Sequence, residues 1–450
     1  ANVNTTSYKS QATGFQDVLY QTVKEGTGAG QNVASTNIAQ VGFGSKVGSI
    51  YTNISAQGSA VTTNNVLDLM ITGPSFFIVT PDGQTNNYSR DGAFTIDANG
   101  DLVTQNDGYY VRGVMGDGGI PTGAVNLTNL RVINRNTARS SFDANGNVIQ
   151  QWYDVMPGSA TTASYMKGNL DSADSSFAEG KDLSLEIYGT DGYRYTLKFR
   201  FDDNGDNETN TFGMSLVSVT PEDVWETNAA GETVKRELPD NLDMDRIELE
   251  YDKHNGRLLR LTSGETTINY TYEGGKMISS QDFYPTFTGD VPIGNLELDL
   301  MNTTNYASTM GNHNSTIYAY KGDTKGLRMG YASGDLTGIS FGTDGSIFGR
   351  YSNGQTIKKG QIAVAEFANA MGLEKVGNNL YQASLNSGEA RVQDITVDGG
   401  YMNSGVLEGS NIDLAKEFTD MITTQRGFQA NSRVITTSDE MLQILKGLKR

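Results

Sequence analysis

The segment Asp202-Asp203-Asn204-Gly205-Asp206-Asn207-Glu208 gathers carboxylate and amide oxygens of the kind a calcium ion binds. An EF-hand loop would place Gly where Asn207 stands and a Glu further on, and neither is present. Strand-like residues flank the segment on both sides, so it reads as a hairpin turn. Asp97-Ala98-Asn99-Gly100 and Asp143-Ala144-Asn145-Gly146 repeat one theme, which favours turn chemistry over a site. The only histidines are His254 and His313, far apart in sequence, and there is no cysteine. A metal centre or a Ser-His-Asp triad would have to recruit one of those two. A glycosidase needs two carboxylates across a cleft, but with 52 acidic residues some pair always looks suitable. Gly26–Gly30 lacks the Lys-Ser/Thr of a phosphate-binding loop and follows no strand. These residues predict no catalytic group, no cofactor and no metal.

Composition narrows the partners. A formal charge of −18 over 450 residues argues against nucleic acid as a partner, because phosphate binding needs clustered Lys and Arg. Charged residues are only 19% of the chain, whereas Gly numbers 53 and Asn, Ser and Thr are abundant. That mixture suits strands and turns with polar, hydrogen-bonding surfaces, as in many extracellular bacterial proteins. No run of apolar residues is long enough to span a membrane, so membrane insertion is not expected. No cleavable signal stands at the start, so work outside the cell would require another export route.

The fold predicted is mainly β and multidomain. Residues 1–66 read as an extended, weakly self-supporting region with one short helix around Phe15–Val23, where Phe15, Val18, Leu19 and Thr22 fall at helical spacing. From Leu67 the texture changes to strand-like runs, Leu67–Ile71 and Phe76–Val79, broken by Gly73-Pro74. Strands near Ala93–Ile96 and Leu102–Thr104 flank an Asn-Gly hairpin signal, and Tyr109–Met115 extends the sheet. The same texture returns at Leu336–Phe341, Ser346–Tyr351 and Gln361–Phe367.

Between these lies cleaner period-two alternation: Leu183/Leu185/Ile187, Tyr193 to Phe201, Ile247/Leu249/Tyr251, Leu259/Leu261, Ile268/Tyr270/Tyr272 and Leu296/Leu298/Leu300. Such alternation gives sheets with one buried and one wet face, closed as a sandwich or barrel. The expected layout is a nest: a middle β domain of 67–159 plus 303–405, with an outer β domain, 160–302, inserted in it. A helical segment, 406–450, closes the chain.

That segment is the strongest signal. Leu414, Met421, Phe428, Ile435 and Leu442 recur every seven residues and make one apolar line, with Phe418 beside it. Ser410 with Asp413 resembles a capping box, and no proline follows Pro292. A helix from Ser410 to Arg450 would reach roughly 55–60 Å, too long for its own chain to cover. Gln425, Arg426, Asn431, Ser432 and Asp439 interrupt the apolar surface. They read either as a solvated face or as groups that set register between packed helices.

Several motifs resemble a known family. Ala1-Asn2-Val3-Asn4-Thr5-Thr6-Ser7-Tyr8-Lys9 is similar to the end of the amino-terminal motif of bacterial flagellar axial proteins (rod, hook and hook-associated). Ser410–Leu414, Gln425–Asn431 and Thr437–Leu442 resemble their carboxy-terminal helix. Asp68, Phe76-Phe77, Gly108-Tyr109 and Arg90-Asp91-Gly92-Ala93-Phe94 resemble hook and distal-rod sequences alike. The stretch Gly334–Ser340, containing Gly338, and Gly349–Gln355, containing Tyr351, Asn353 and Gly354, is similar to hook proteins. So are 360–373 and 377–381, and the insertion with Ala160-Thr161-Thr162 and Gly168-Asn169-Leu170. The family's front helix, which precedes the Asn-Val-Asn-Thr-Thr motif, is absent from this chain and would be the natural partner of the terminal helix.

The resemblance implies a structural, non-enzymatic subunit that polymerises with itself into a curved hollow tube coupling motor torque to the filament. It implies a distal rod protein, a hook cap and hook–filament junction proteins as neighbours. It also implies extracellular location after export by the flagellar type III apparatus. A distal rod or hook-associated protein is the nearest alternative. A secreted β-rich adhesin or carbohydrate-binding protein would share the composition and the sheets but have no use for the long helix, and a cell-wall hydrolase is the enzyme alternative.

Overall fold

A computed structural model describes residues 2–28, 34–120, 126–142, 148–203, 210–222, 225–227, 233–235, 243–289, 292–307, 311 and 313–447. Of the acidic turn, only Asp202 and Asp203 are among them; 204–208 and the turn at 143–147 lie outside. The chain divides into two compact units, one of 1–135, 337–350 and 356–450, the other of 136–336 and 351–355.

In the first unit the central strand is Phe76–Thr80, buried throughout. Its residues alternate between two apolar clusters. Phe77 and Val79 join Leu69, Ile71, Phe94, Leu102, Val111, Leu130, Ile362 and Val364, whereas Phe76 and Ile78 join Ile54, Tyr88, Ala363, Ala365, Phe367 and Tyr381. A strand covered on both faces needs a continuous apolar run, which is what Phe76-Phe77-Ile78-Val79 supplies. Tyr110–Met115, Asn87–Ser89 and Val364–Glu366 pair with it antiparallel. The hairpin Phe94–Ile96/Leu102–Thr104 turns where the Asp97 carboxylate accepts from the amides of Asn99 (2.9 Å) and Asp101 (2.8 Å). Gly100 holds φ at 89°, with a Cβ excluded by the Ile133 carbonyl.

Phe15–Val23 is not helical. Gln11–Asp17 pairs with Ser45–Thr52, and Tyr20–Lys24 with Ala39–Gly42, both antiparallel. Thr13, Phe15, Tyr20, Thr22 and Val23 suit strands, and Gly14 weakens a helix; the helical spacing of four residues was too short a signal against these preferences. These ribbons are largely exposed, with Phe15, Leu19, Ile38, Phe43 and Ile50 open to solvent.

The second unit carries a seven-stranded antiparallel sheet in the order Lys181–Tyr188, Arg194–Asp202, Thr211–Pro221, Ile247–Tyr251, Leu258–Ser263, Thr266–Glu273, Lys276–Ser279. A three-stranded sheet places Ala163–Asn169 between Glu297–Thr304, which runs parallel to it, and Tyr318–Lys321, which runs antiparallel. One core joins the two sheets, from Leu185, Tyr195, Leu197, Phe199 and Leu249 to Met166, Leu298 and Leu300. Arg194–Asp202 shows the expected strict alternation of buried and half-buried positions. Three expectations shift, the first being Tyr193, which is exposed just ahead of its strand. Leu258 rather than Leu259 faces inward, because a register irregularity at Glu250/Tyr251 sets Leu258 opposite Tyr251. Tyr272 is exposed under the Arg257 guanidinium, 3.5 Å from its ring centre.

A candidate assembly helix and its ionic anchor

The terminal helix runs from Leu414 to Gly447. It starts later than Ser410 because Asp413 is the cap. Its carboxylate accepts from the amides of Ala415 (2.9 Å) and Lys416 (3.3 Å), and its carbonyl takes the first helical bond, from Glu417. The Ser410 hydroxyl instead accepts from the Ile412 amide, ahead of the helix. Thr419, Thr423, Thr424, Thr436 and Thr437 return their hydroxyls to carbonyls four residues earlier, so these polar side chains are satisfied within the helix.

No residue of the helix is buried. Along the seven-residue line Leu414, Met421, Phe428, Ile435 and Leu442 are all exposed, Phe428 most at 73%, and Phe418, Ile422, Val434, Met441, Ile444 and Leu445 are exposed as well. Gln425 and Asn431 stand exposed among them. A length of about 50 Å carrying this much uncovered apolar side chain far exceeds scattered surface hydrophobics.

The residues leading into the helix are held by a buried ionic cluster. Glu408, with a fully buried side chain, accepts from Lys9 Nζ at 2.7 Å, from Arg90 Nε at 3.1 Å and from the Gly58 amide at 2.9 Å. Lys9 also donates to the Ala56 carbonyl, and Arg90 Nη1 to the carbonyls of Gly73 and Ser75. Burial pushes the Lys9 ammonium below its usual pKa, and the Glu408 charge opposes that shift. Ser7 bonds the Glu408 carbonyl with its amide and the Arg90 carbonyl with its hydroxyl. Asn411 accepts from the Ser10 amide (2.7 Å) and donates to the carbonyls of Asn53 and Ala56. The start of the chain is thus pinned to the segment that launches the helix.

Several motif residues singled out in the sequence meet here. Thr6 donates to the Asp91 carboxylate (3.3 Å) and Asn379 to the Thr6 carbonyl (2.8 Å). Gly92 lies so close to the Leu69 carbonyl that no Cβ fits, and Phe94 stacks edge-on against Phe77 at 5.0 Å. Asn2 and Asn4 begin and end a short exposed 3-10 turn, whose Asn2 carbonyl accepts from Thr5. Gly338 meets open space. Gly334, Tyr351, Asn353 and Gly354 serve a different purpose, in the second unit. Asn353 closes against Gly334 and donates to the Ala332 carbonyl, Tyr351 donates to Asp154 at 3.1 Å, and Gly354 takes the left-handed turn position. Glu408 was missed in the sequence, where only its place as a lone acid after Val406-Leu407 marks it.

His313 sits 3.4 Å from Asp171 and His254 3.5 Å from Asp252, each beside a single carboxylate. Among the described residues no His, Asp and Glu cluster could hold a metal, and no helix is long and apolar enough to cross a membrane.

Residues 70–150 match the family described as flagellar hook protein FlgE/F/G D1 domain, and 403–448 the flagellar basal body rod FlgEFG protein C-terminal family. The flagellar hook protein FlgE of Treponema pallidum is 32% identical over 469 residues, covering 100% of this chain and 94% of that protein. That of Borreliella burgdorferi is 31% identical over 473 residues, with the same coverage. The flagellar basal-body rod protein FlgG of Bacillus subtilis is 52% identical, but over only 26% of this chain and 45% of its own length. The crystal structure of Helicobacter pylori flagellar hook protein FlgE2 aligns over 77% of this chain and 100% of its own, at a TM-score of 0.39 and 15% identity.

Proposed function

Since the chain belongs to the flagellar hook protein family, whose members are structural subunits of the hook, we propose that its uncovered terminal helix is the surface through which identical subunits polymerise. The single observation behind this reading is a helix of 34 residues without one buried side chain. In water such a helix gains nothing from its apolar line. Packed against copies of itself, or against another helix, it would remove each of those side chains from solvent, at about 25 cal/mol per Å² of apolar surface.

The remaining parts fit a tube wall. The terminal helices line an inner channel through which later subunits travel unfolded. Bending during rotation slides subunits past one another. Surfaces rich in Gly, Asn and Ser permit this, because their hydrogen bonds exchange with water and neighbours at small net cost. In this reading the hook is a universal joint for motor torque. It meets a distal rod protein, a cap and junction proteins at its ends, and its subunits reach the cell exterior through the type III apparatus.

The test is electron microscopy of the full chain after concentration. Hollow tubes of uniform diameter support the reading. Particles that stay monomeric under every condition, while both β units are folded, count against it.

A further inference from the structure

The three-stranded sheet of the second unit carries an unusual pair. Tyr165 on Ala163–Asn169 lies directly opposite Tyr320 on Tyr318–Lys321, in antiparallel register. Their ring centres are 5.0 Å apart and the ring planes differ by 17°, whereas every other aromatic pair among the described residues meets edge-on. Their strand neighbours Met166 and Ala319 pack into the core, so alternation puts both tyrosines on the outward face. Tyr320 is 45% exposed and Tyr165 half-buried. Tyr318 is exposed too, but stands opposite Lys167.

Two outward aromatics on a sheet suggest a saccharide platform, yet here each ring covers a face of the other. What the pair offers is proximity of two phenols with parallel rings. One-electron oxidation of a phenol leaves radical character on the carbons ortho to the hydroxyl, and two such carbons combine when the rings are held side by side. The chain has no cysteine whose thiol could intercept the radicals or supply a disulfide instead.

We propose that Tyr165 and Tyr320 form an oxidative coupling site, converted to dityrosine by a peroxidase-type oxidant using hydrogen peroxide. The two phenols together give up two electrons and two protons, losing one ortho C–H hydrogen each, and a new aryl carbon–carbon bond forms. One hydrogen peroxide takes up those electrons and protons and leaves as two waters. The bond joins two strands whose tyrosines enclose 166–319, the stretch holding every strand of the seven-stranded sheet. A crosslink closing so long a loop restricts the unfolded chain, as a disulfide does, and raises the unfolding temperature of this unit. The proposal stands apart from the polymerisation reading and holds for the monomer.

The test treats the dilute full-length chain with horseradish peroxidase and hydrogen peroxide, with free tyrosine in a parallel reaction as the oxidant control. Digestion and mass spectrometry should find the Tyr165 and Tyr320 peptides linked and lighter than their sum by two hydrogen atoms, with dityrosine fluorescence. Tyr165→Phe and Tyr320→Phe each keep the ring and should abolish that species, while Tyr318→Phe should keep it. The oxidised wild type should unfold at higher temperature than the unoxidised, and oxidised Tyr320→Phe should not. Coupling confined to Tyr318 or to intermolecular pairs overturns the proposal, as does absence of the linked peptides when free tyrosine is coupled.

Discussion

At the scale of single residues, Glu408 carries the most consequence. It is one anion between two cations, all three withdrawn from water, and each partner compensates the desolvation of the others. Replacing Glu408 by Gln should destabilise the first unit by about 3–5 kcal/mol, because Lys9 and Arg90 would remain buried without a counter-charge. Denaturant unfolding with a midpoint unchanged from wild type would contradict this. None of it was legible in the sequence. Lys9 and Arg90 lie 399 and 318 residues from Glu408, and no local pattern reports a pairing at that distance. The second unit provides a residue-scale prediction on pH. Hydrogen bonds from Arg200 and Lys198 hold Asp182 down to about 2, and those from Ser176 and Ser315 lower Asp174 despite its burial. A carboxyl depressed in the folded state contributes stability above its ordinary pKa of 3.8 and loses it as pH falls through the folded value. Thermal unfolding of this unit should therefore weaken as pH is lowered from about 4 towards 2, and less steeply in Asp182→Asn. Equal slopes in both proteins would assign the loss to other groups.

Among the elements, the terminal helix and the amino-terminal ribbons stand at opposite ends of legibility. The helix was readable because a seven-residue spacing held over five repeats leaves few alternatives, although its cap moved from Ser410 to Asp413. Phe15–Val23 looks helical because helical spacing over two turns is matched by chance, while its partners, Ser45–Thr52 and Ala39–Gly42, lie beyond the reach of a local pattern. The Asn-Gly turn at Asn99-Gly100 was readable, since its geometry is local. For the helix the expected outcome is a separation of folding from assembly. Phe428→Asp and Ile435→Asp change exposed positions and should alter monomer stability by less than about 0.5 kcal/mol, yet abolish polymerisation. Normal tubes from either variant in sedimentation and microscopy would remove the seven-residue line from the assembly surface.

For the whole molecule, the question is whether the inserted region is a module. The two apolar clusters of the first unit contain no residue from 160–302, and that region supplies nearly all of the second unit's core. Deleting 160–302 should thus leave the first unit with a cooperative thermal transition, and its loss would refute that division. The β character was legible because alternation is a local property; the parallel pairing of Ala163–Asn169 with Glu297–Thr304 was not, since parallel partners are chosen by the long connection between them. At this scale membership of the hook family and the uncovered helix converge on one claim, that the helix is a surface completed by neighbouring subunits. Amide hydrogen exchange across Leu414–Gly447, compared between dilute subunits and assembled tubes, tests it most directly. Strong protection in the tube along the line from Leu414 to Leu442, with rapid exchange in the subunit, is the predicted result. Equal exchange in both states would contradict the claim.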